Sequence, residues 1–290
     1  MRVMLSRRAA LVAAGATLLS STSFAAAPAD PLVARIAGLE KKNGGRLGVA
    51  ILDTKTGRRI EHRAGERFAM CSTFKFLASA HVLSRVDKGL EQLDRRVRFT
   101  EKDLIANSPI SKARVAEGMT IAEMCEATIT VSDNTSGNLL LAACGGPSGF
   151  TSYARSLGDK VTRLDRMEPE LNDVKEGDEL DTTTPAAMLE DLRKVVLGDA
   201  LSAVSRALIT KWIIATKTGD KRLRAGVPKD WTVGDKTGTS ATDIANDIAV
   251  FWPPGREPLL AAVYYAGALI SSEQRNATIA DVGAVVASLV

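Results

Sequence analysis

Trp231-Thr-Val-Gly-Asp-Lys-Thr-Gly238 reads as a β-strand, and it follows a long run of helical spacing that extends from Ser72 to about Lys211. Two more β-rich stretches come after it, Ile244 to Phe251 and Leu259 to Ala266, with Pro253-Pro-Gly255 as a hairpin turn between them. The other end of the chain matches. Arg46 to Asp53 carries the apolar run Leu47-Gly-Val-Ala-Ile-Leu52, and Lys55-Thr-Gly57 turns it into a second strand. Helical patterns fill the rest: Leu32 to Lys41, Ser72 to Val86 stopped by Gly89, Thr120 to Thr130, Asn134 to Ala143 stopped by Gly145-Gly146-Pro147, Pro185 to Val195, Leu201 to Ile214 and Ile279 to Val290. Strands from both termini around a helical middle imply an α/β (α+β) fold of two lobes. Residues of about 28–63 and 216–290 would form a sheet lobe and about 64–215 an inserted all-α lobe, with the site in the cleft between them.

The 290 residues are 45% hydrophobic and 25% charged, an ordinary globular composition with material for a substantial core. Residues 1–27 differ. Arg2, Arg7 and Arg8 precede or open onto the apolar run Ala9 to Leu19, and Ala25-Ala26-Ala27 offers a small-residue cleavage site, the pattern of an export signal. Ser6-Arg7-Arg8 before Ala-Ala-Leu favours the twin-arginine route over the general secretory one, and the expected location is periplasmic or secreted. Residues 28–290 are read as a single domain. Loss of residues 1–27 removes three arginines and no acid, so the net charge falls from +4 to +1. With no Lys/Arg block and only three Tyr and three Trp, nucleic-acid binding drops out. No later stretch reaches the roughly 18 apolar residues of a membrane span, so no membrane contact is expected of the mature form. Cys71, Cys125 and Cys144, an odd number in apolar surroundings, read as buried free thiols.

Ser72-Thr-Phe-Lys75 is the one Ser-x-x-Lys of the chain, and its lysine falls in the apolar stretch Phe74 to Leu83. A cation one helical turn from a hydroxyl, in a segment apolar nearly all round, is expensive to bury without a partner or a task. The pair suggests an activated serine nucleophile, although a chance serine before a snorkelling lysine leaves the same pattern. A Ser-His-Asp triad is excluded: only His62 and His81 are present, and His81 lies about two and a half turns along the same helix, on its other side. Two histidines without Cys or carboxylate at ligand spacing also argue against zinc, and neither metal nor cofactor is expected.

Ser132-Asp-Asn134 leads into a helix, where capping alone would explain it. Lys-Thr-Gly occurs three times. At Lys55 it lies in a hairpin turn; at Lys217 it follows a helix with Gly219 in capping position; at Lys236 it continues the strand from Trp231, where glycine marks a close approach to the backbone. Val161 to Asp181 has no sustained period and holds eight acids against Arg163, Arg166 and Lys175, the mark of an Ω-type loop, functional or merely solvated.

In that order, Ser72-Thr-Phe-Lys75, Ser132-Asp-Asn134 and Lys236-Thr-Gly238 are similar to the motif set of class A β-lactamases and penicillin-binding proteins. With Asp165-Arg-Met-Glu-Pro-Glu-Leu-Asn172 and Asp181-Thr-Thr-Thr-Pro-Ala-Ala-Met188 as further matches, essentially the whole region after the leader resembles a class A serine β-lactamase. The resemblance implies an antiparallel five-stranded sheet flanked by helices, a monomer without cofactor, and hydrolysis of the β-lactam amide of penicillins and cephalosporins through a serine acyl-enzyme, conferring antibiotic resistance. It casts Ser72 as nucleophile, with the backbone N–H groups of Ser72 and Thr239 as oxyanion hole. Lys75, its pKa lowered by burial and by Lys236, would accept the serine proton, and Ser132 would relay a proton to the departing nitrogen. Lys236, Thr237, Gly238 and Thr239 would bind substrate, the first two through its carboxylate, and Asn134 would hold the acylamide side chain. Glu168 and Asn172 would hold the water that attacks the acyl-enzyme, above a loop neck closed by Arg166 and Asp181. Arg222 resembles an arginine that some members place beside the carboxylate site, with an exposed loop arginine as the alternative.

Three positions depart from the family pattern. Asn107 precedes Ser108-Pro109 where an aromatic wall is common, and Met167 stands where tryptophan often precedes the loop glutamate, so both would widen the cleft. Cys71 precedes the nucleophile as in disulfide-bearing carbapenemases, but the partner position is Ser240, and that subgroup's activity does not transfer. Two competing readings are a DD-carboxypeptidase, which would not need the Glu168 to Asn172 loop, and a sensor that acylates and stays acylated.

Overall fold

A computed structural model describes residues 30–175 and 177–290. The export signal read in residues 1–27 lies outside the described residues. The elements, in chain order, are α1 (Pro31–Asn43), β1 (Arg46–Asp53), β2 (Arg59–His62), β3 (Phe68–Ala69), α2 (Phe74–Asp87), β4 (Arg96–Val97), α3 (Pro109–Ala113), β5 (Met119–Thr120), α4 (Ile121–Thr130), α5 (Asn134–Ala143), α6 (Gly146–Ser156), β6 (Thr182–Thr183), α7 (Pro185–Val196), α8 (Ala203–Ile214), β7 (Thr232–Thr239), β8 (Ala245–Trp252), β9 (Leu259–Ala266) and α9 (Ser272–Ala287).

Five strands form one antiparallel sheet in the order β2-β1-β9-β8-β7. Both faces of its centre are covered, which is why β1, β8 and β9 read as nearly unbroken apolar runs rather than as alternating ones. Val49, Ile51, Phe251, Val263 and Tyr265 pack on one face with Ile36 of α1 and Ile279, Val282 and Val286 of α9. Ala50, Leu52, Ile248, Val250, Leu260 and Tyr264 face the opposite way, into a larger core shared with the helices from α2 to α8. Inside that core α2 is buried on nearly every side, Lys75 included. The strand pair β3·β6 joins the approach to α2 with the end of the Val161 to Asp181 segment.

Local chemistry explains most boundaries. Thr120 caps α4 in a reciprocal box with Glu123, Asp133 caps α5 by accepting from Ser136 N, and Pro185 sits at the first position of α7. Three helices differ from the sequence reading, the short α3, absent from it, being one. Gly145-Gly146-Pro147 does end α5, with Gly145 in the left-handed region, but it also starts α6, because proline at a first turn begins a helix as readily as it ends one. The last helix starts at Ser272, earlier than Ile279, since its polar first turn is held by a Ser271/Gln274 capping box rather than by apolar burial. The Lys217-Thr-Gly219 reading also changes: α8 ends at Ile214 with Ala215 as its C-cap, and Gly219 is there because a Cβ would fall 2.0 Å from an Asp235 carboxylate oxygen.

Phe150 of α6 is buried and stands edge-on to Phe74 of α2, with ring centroids 6.2 Å apart. Phe150→Ala is expected to lower the unfolding free energy by about 3–5 kcal/mol, as a cavity opened beside the first turn of α2; urea titration followed by circular dichroism measures it.

Candidate active site

The site begins with a strained turn. Cys71 to Thr73 form a single 3₁₀ turn that runs into α2, and Cys71 adopts φ 43°, which turns the chain sharply just before Ser72. Ser72 is half-buried, and one turn on, Lys75 is fully buried. The lysine Nζ donates to Ser72 Oγ at 2.9 Å, to Ser132 O at 3.0 Å and Oγ at 3.3 Å, and to Asn134 Oδ1. It also forms an ion pair with Glu168 Oε1 at 3.1 Å. Ser72 Oγ donates to the same Glu168 oxygen at 3.3 Å. A hydroxyl, an ammonium and a carboxylate thus meet in one triangle, the last two of them buried.

Ser132 supplies the next layer. It adopts φ 61° between α4 and α5, and its Oγ lies between two lysines, accepting from Lys75 and, at 3.2 Å, from Lys236 Nζ. Burial and, next, the charge of Lys75 lower the Lys236 pKa to about 7. The Lys75 pKa is lowered too, with burial as the leading cause and Glu168 opposing it by charge and hydrogen bond. Of the two causes expected from the sequence, burial is the leading one, and Lys236 is not among the main contributors.

Lys236 belongs to β7, one of the two edge strands of the sheet. Thr216 Oγ1, outside the sheet, donates to Asp235 O at 2.7 Å, so residues 235, 237 and 239 turn their backbone groups to the free edge. That parity brings the Thr239 N–H to the cleft. The Thr237 hydroxyl meets that of Thr218 at 2.6 Å. Gly238 has the close approach that its place in the strand predicted: a Cβ there would fall 2.7 Å from Met70 O. Arg222 is buried, which removes the exposed-loop alternative; it donates to Gly238 O at 2.8 Å, to Asn246 O at 2.7 Å and to Thr239 Oγ1 at 2.7 Å.

Glu168 arrives on the acidic loop. Asn172 Nδ2 donates to Glu168 Oε2 at 2.5 Å, while Asn172 Oδ1 is buried without a partner among the described residues. The neck is a compact ion-pair knot: Asp181 accepts from Arg166 Nε at 2.6 Å and from the backbone N–H groups of Asp165 and Arg166 at 2.8 and 2.9 Å. Asp181 O also accepts from Met70 N at 3.0 Å, which ties the loop to the turn that carries Ser72. Asn138 was absent from the sequence reading. Its amide receives Glu168 N at 2.9 Å and donates to Glu168 O at 2.8 Å, fixing the backbone of the loop carboxylate from α5. Its only sequence signal was its place one turn after Asn134.

The departures find local explanations. Asn107, at φ 59°, offers its backbone O to Asn134 N at 3.1 Å and its amide to Ser132 O at 3.4 Å. Met167 packs against the core. Ser240 Oγ accepts from the backbone N–H groups of Thr242, Asp243 and Ile244, fastening the β7–β8 hairpin, and Cys71 is a buried free thiol beside Ile244. Burial raises the Cys71 pKa to about 12. His62 lies on Glu40, and His81 stacks on Tyr153. Among the described residues no three His, Cys, Asp or Glu side chains gather as a metal-ligand set.

Comparison with known proteins agrees over nearly the full length. The sequence model of the β-lactamase enzyme family matches residues 31–290. The chain is 49% identical over 260 residues to β-lactamase AST-1 of Nocardia asteroides, covering 90% of this chain and 83% of that one. It is 44% identical over 302 residues to β-lactamase L2 of Stenotrophomonas maltophilia, covering 99% and 100%. Its structure superposes on an ancestral class A β-lactamase with a TM-score of 0.88 at 57% identity, over 89% of this chain and 100% of that one.

The two lysines give a measurable signature. In the ligand-free protein Lys236 should lose its charge as pH rises through about 7. Glu168→Gln removes the anion that opposes burial at Lys75, so Lys75 should release its proton at a lower pH than in the unmodified protein. NMR titration of ¹³C-labelled lysine side chains, assigned with Lys236→Met, reads both.

Proposed function

Because the chain belongs to the β-lactamase enzyme family, we propose that it hydrolyses the β-lactam amide of penicillins and cephalosporins through a serine acyl-enzyme, and so confers antibiotic resistance. The observation that carries the chemistry is the triangle of Ser72 Oγ, Lys75 Nζ and Glu168 Oε1, each within 3.3 Å of the other two. Ser72 Oγ attacks the lactam carbonyl carbon, and its proton passes to a base; Lys75 and Glu168 both stand within hydrogen-bond reach. The carbonyl oxygen takes negative charge between the backbone N–H groups of Ser72 and Thr239. The ring C–N bond then breaks, and the nitrogen receives a proton through Ser132, whose hydroxyl lies between the two lysines.

Lys236 and Thr237 bind the substrate carboxylate, and Asn134 the acylamide. Arg222 acts on that subsite through Thr239 rather than at its surface. In the second half of the reaction Glu168, steadied by Asn172 and by Asn138, takes a proton from the water that attacks the ester, and Ser72 leaves with that proton. This step separates a hydrolase from a sensor or a carboxypeptidase without such a loop. The mature protein works as a monomer in the periplasm or medium after export through residues 1–27, by the twin-arginine route.

Ser72→Ala is expected to abolish turnover. Glu168→Ala should still acylate but deacylate about 10²–10⁴-fold more slowly, so that mass spectrometry finds protein carrying the mass of one penicillin; release of product at the unmodified rate would refute the base. Replacing Arg7 and Arg8 by Lys should deplete periplasmic activity, and unchanged activity would indicate the general secretory route.

A further inference from the structure

Asn246 of β8 is fully buried and uses every polar atom of its side chain. Its Nδ2 donates to Ala69 O at 2.9 Å and Met70 O at 3.1 Å, and its Oδ1 accepts from Tyr265 N at 3.3 Å. Met70 O is also the acceptor that closes the nucleophile turn, taking Thr73 N at 3.2 Å and Thr73 Oγ1 at 2.8 Å. On the other side Asn246 is the cross-strand partner of Gly238, the residue before Thr239. A Cβ at Gly238 would fall 2.7 Å from Met70 O and 3.2 Å from Asn246 Nδ2, so strand, turn and amide are in mutual contact. One side chain therefore spans the two pieces of chain that carry the Ser72 and Thr239 N–H groups.

We propose that Asn246 is a positioning residue that sets the separation of those two donors, and with it the fit of the oxyanion hole. The proposal rests on the acyl-enzyme reading above. An oxyanion hole stabilises charge only when both donors sit at hydrogen-bond distance from one oxygen, and the two here belong to elements that no strand ladder joins. Packing of Gly238 on Met70 O limits how near they come. The double donation from Asn246 limits how far they part. Asn246→Ala would leave the carbonyls of Ala69 and Met70 without that buried donor, and Asn246→Asp would keep the shape while facing two carbonyl oxygens with a carboxyl group.

The test uses Glu168→Gln protein loaded with a penicillin whose carbonyl is ¹³C-labelled, read by infrared difference spectroscopy. Donors to the ester carbonyl lower its stretching frequency. Adding Asn246→Ala or Asn246→Asp is expected to raise that frequency and to slow acylation by about 10²-fold, while the Kd of the penicillin on a Ser72→Ala background stays unchanged. An unmoved band in a folded variant overturns the proposal, and so does a slower acylation matched by an equal loss of affinity. If Asn246→Ala fails to fold by circular dichroism, Asn246→Asp carries the measurement; if neither folds, the residue is a determinant of the fold and the proposal fails. Absence of a trapped ester in Glu168→Gln alone would remove the acyl-enzyme reading and the proposal with it.

Discussion

A buried ammonium organises the molecule. Lys75 lies inside the helical core with no exposed surface, and an uncompensated charge there would cost several kcal/mol. Its compensation comes from four directions: Ser72 one turn back, Ser132 and Asn134 at the junction of α4 and α5, and Glu168 on the acidic loop. Each partner holds a different part of the chain at one point. Loop, helical junction and nucleophile turn are thereby specified together, because displacing any one of them leaves the cation short of an acceptor.

The same logic explains why the acidic loop is ordered around its neck despite its charge. Eight acids over twenty-one residues would repel in an isolated segment, but Asp165 and Asp181 are spent on Arg163, Arg166 and backbone N–H groups. Asn138 then fixes the backbone of Glu168 from the side of α5, and Met70 N fixes Asp181 from the side of Ser72. Glu168 and Ser72 are set by backbone contacts as much as by their own side chains.

What could be read from the residues follows from this division. Strands and long helices announce themselves by periodicity: four of the five sheet strands fall where the apolar or β-rich runs predicted them, β2 follows the Lys55-Thr-Gly57 turn, and β7 ends one residue past Gly238. The Ser-x-x-Lys, Ser-Asp-Asn and strand-borne Lys-Thr-Gly were legible because reacting groups need fixed spacing within one element. Asn138 and Asn246 were not legible. Each acts by an amide against the backbone of a segment distant in sequence, and nothing in the local sequence of a buried Asn says which carbonyl it will meet. Helix α6 and the first turn of α9 were hidden for another reason: glycine, proline and polar residues begin them, and those residue types mark an end as often as a beginning.

The free edge of β7 has a consequence for self-association. An unpaired row of backbone groups is a template onto which any extended chain, including another copy, can add as a sixth strand. The proposed mechanism needs this edge open, which leaves the fold without the usual protection by pairing. What guards it is crowding: the Thr216 to Thr218 segment covers its outer flank through two hydroxyl contacts, and the helical wall bearing Ser132 stands across from it. The cleft is in that sense a shielded sheet edge.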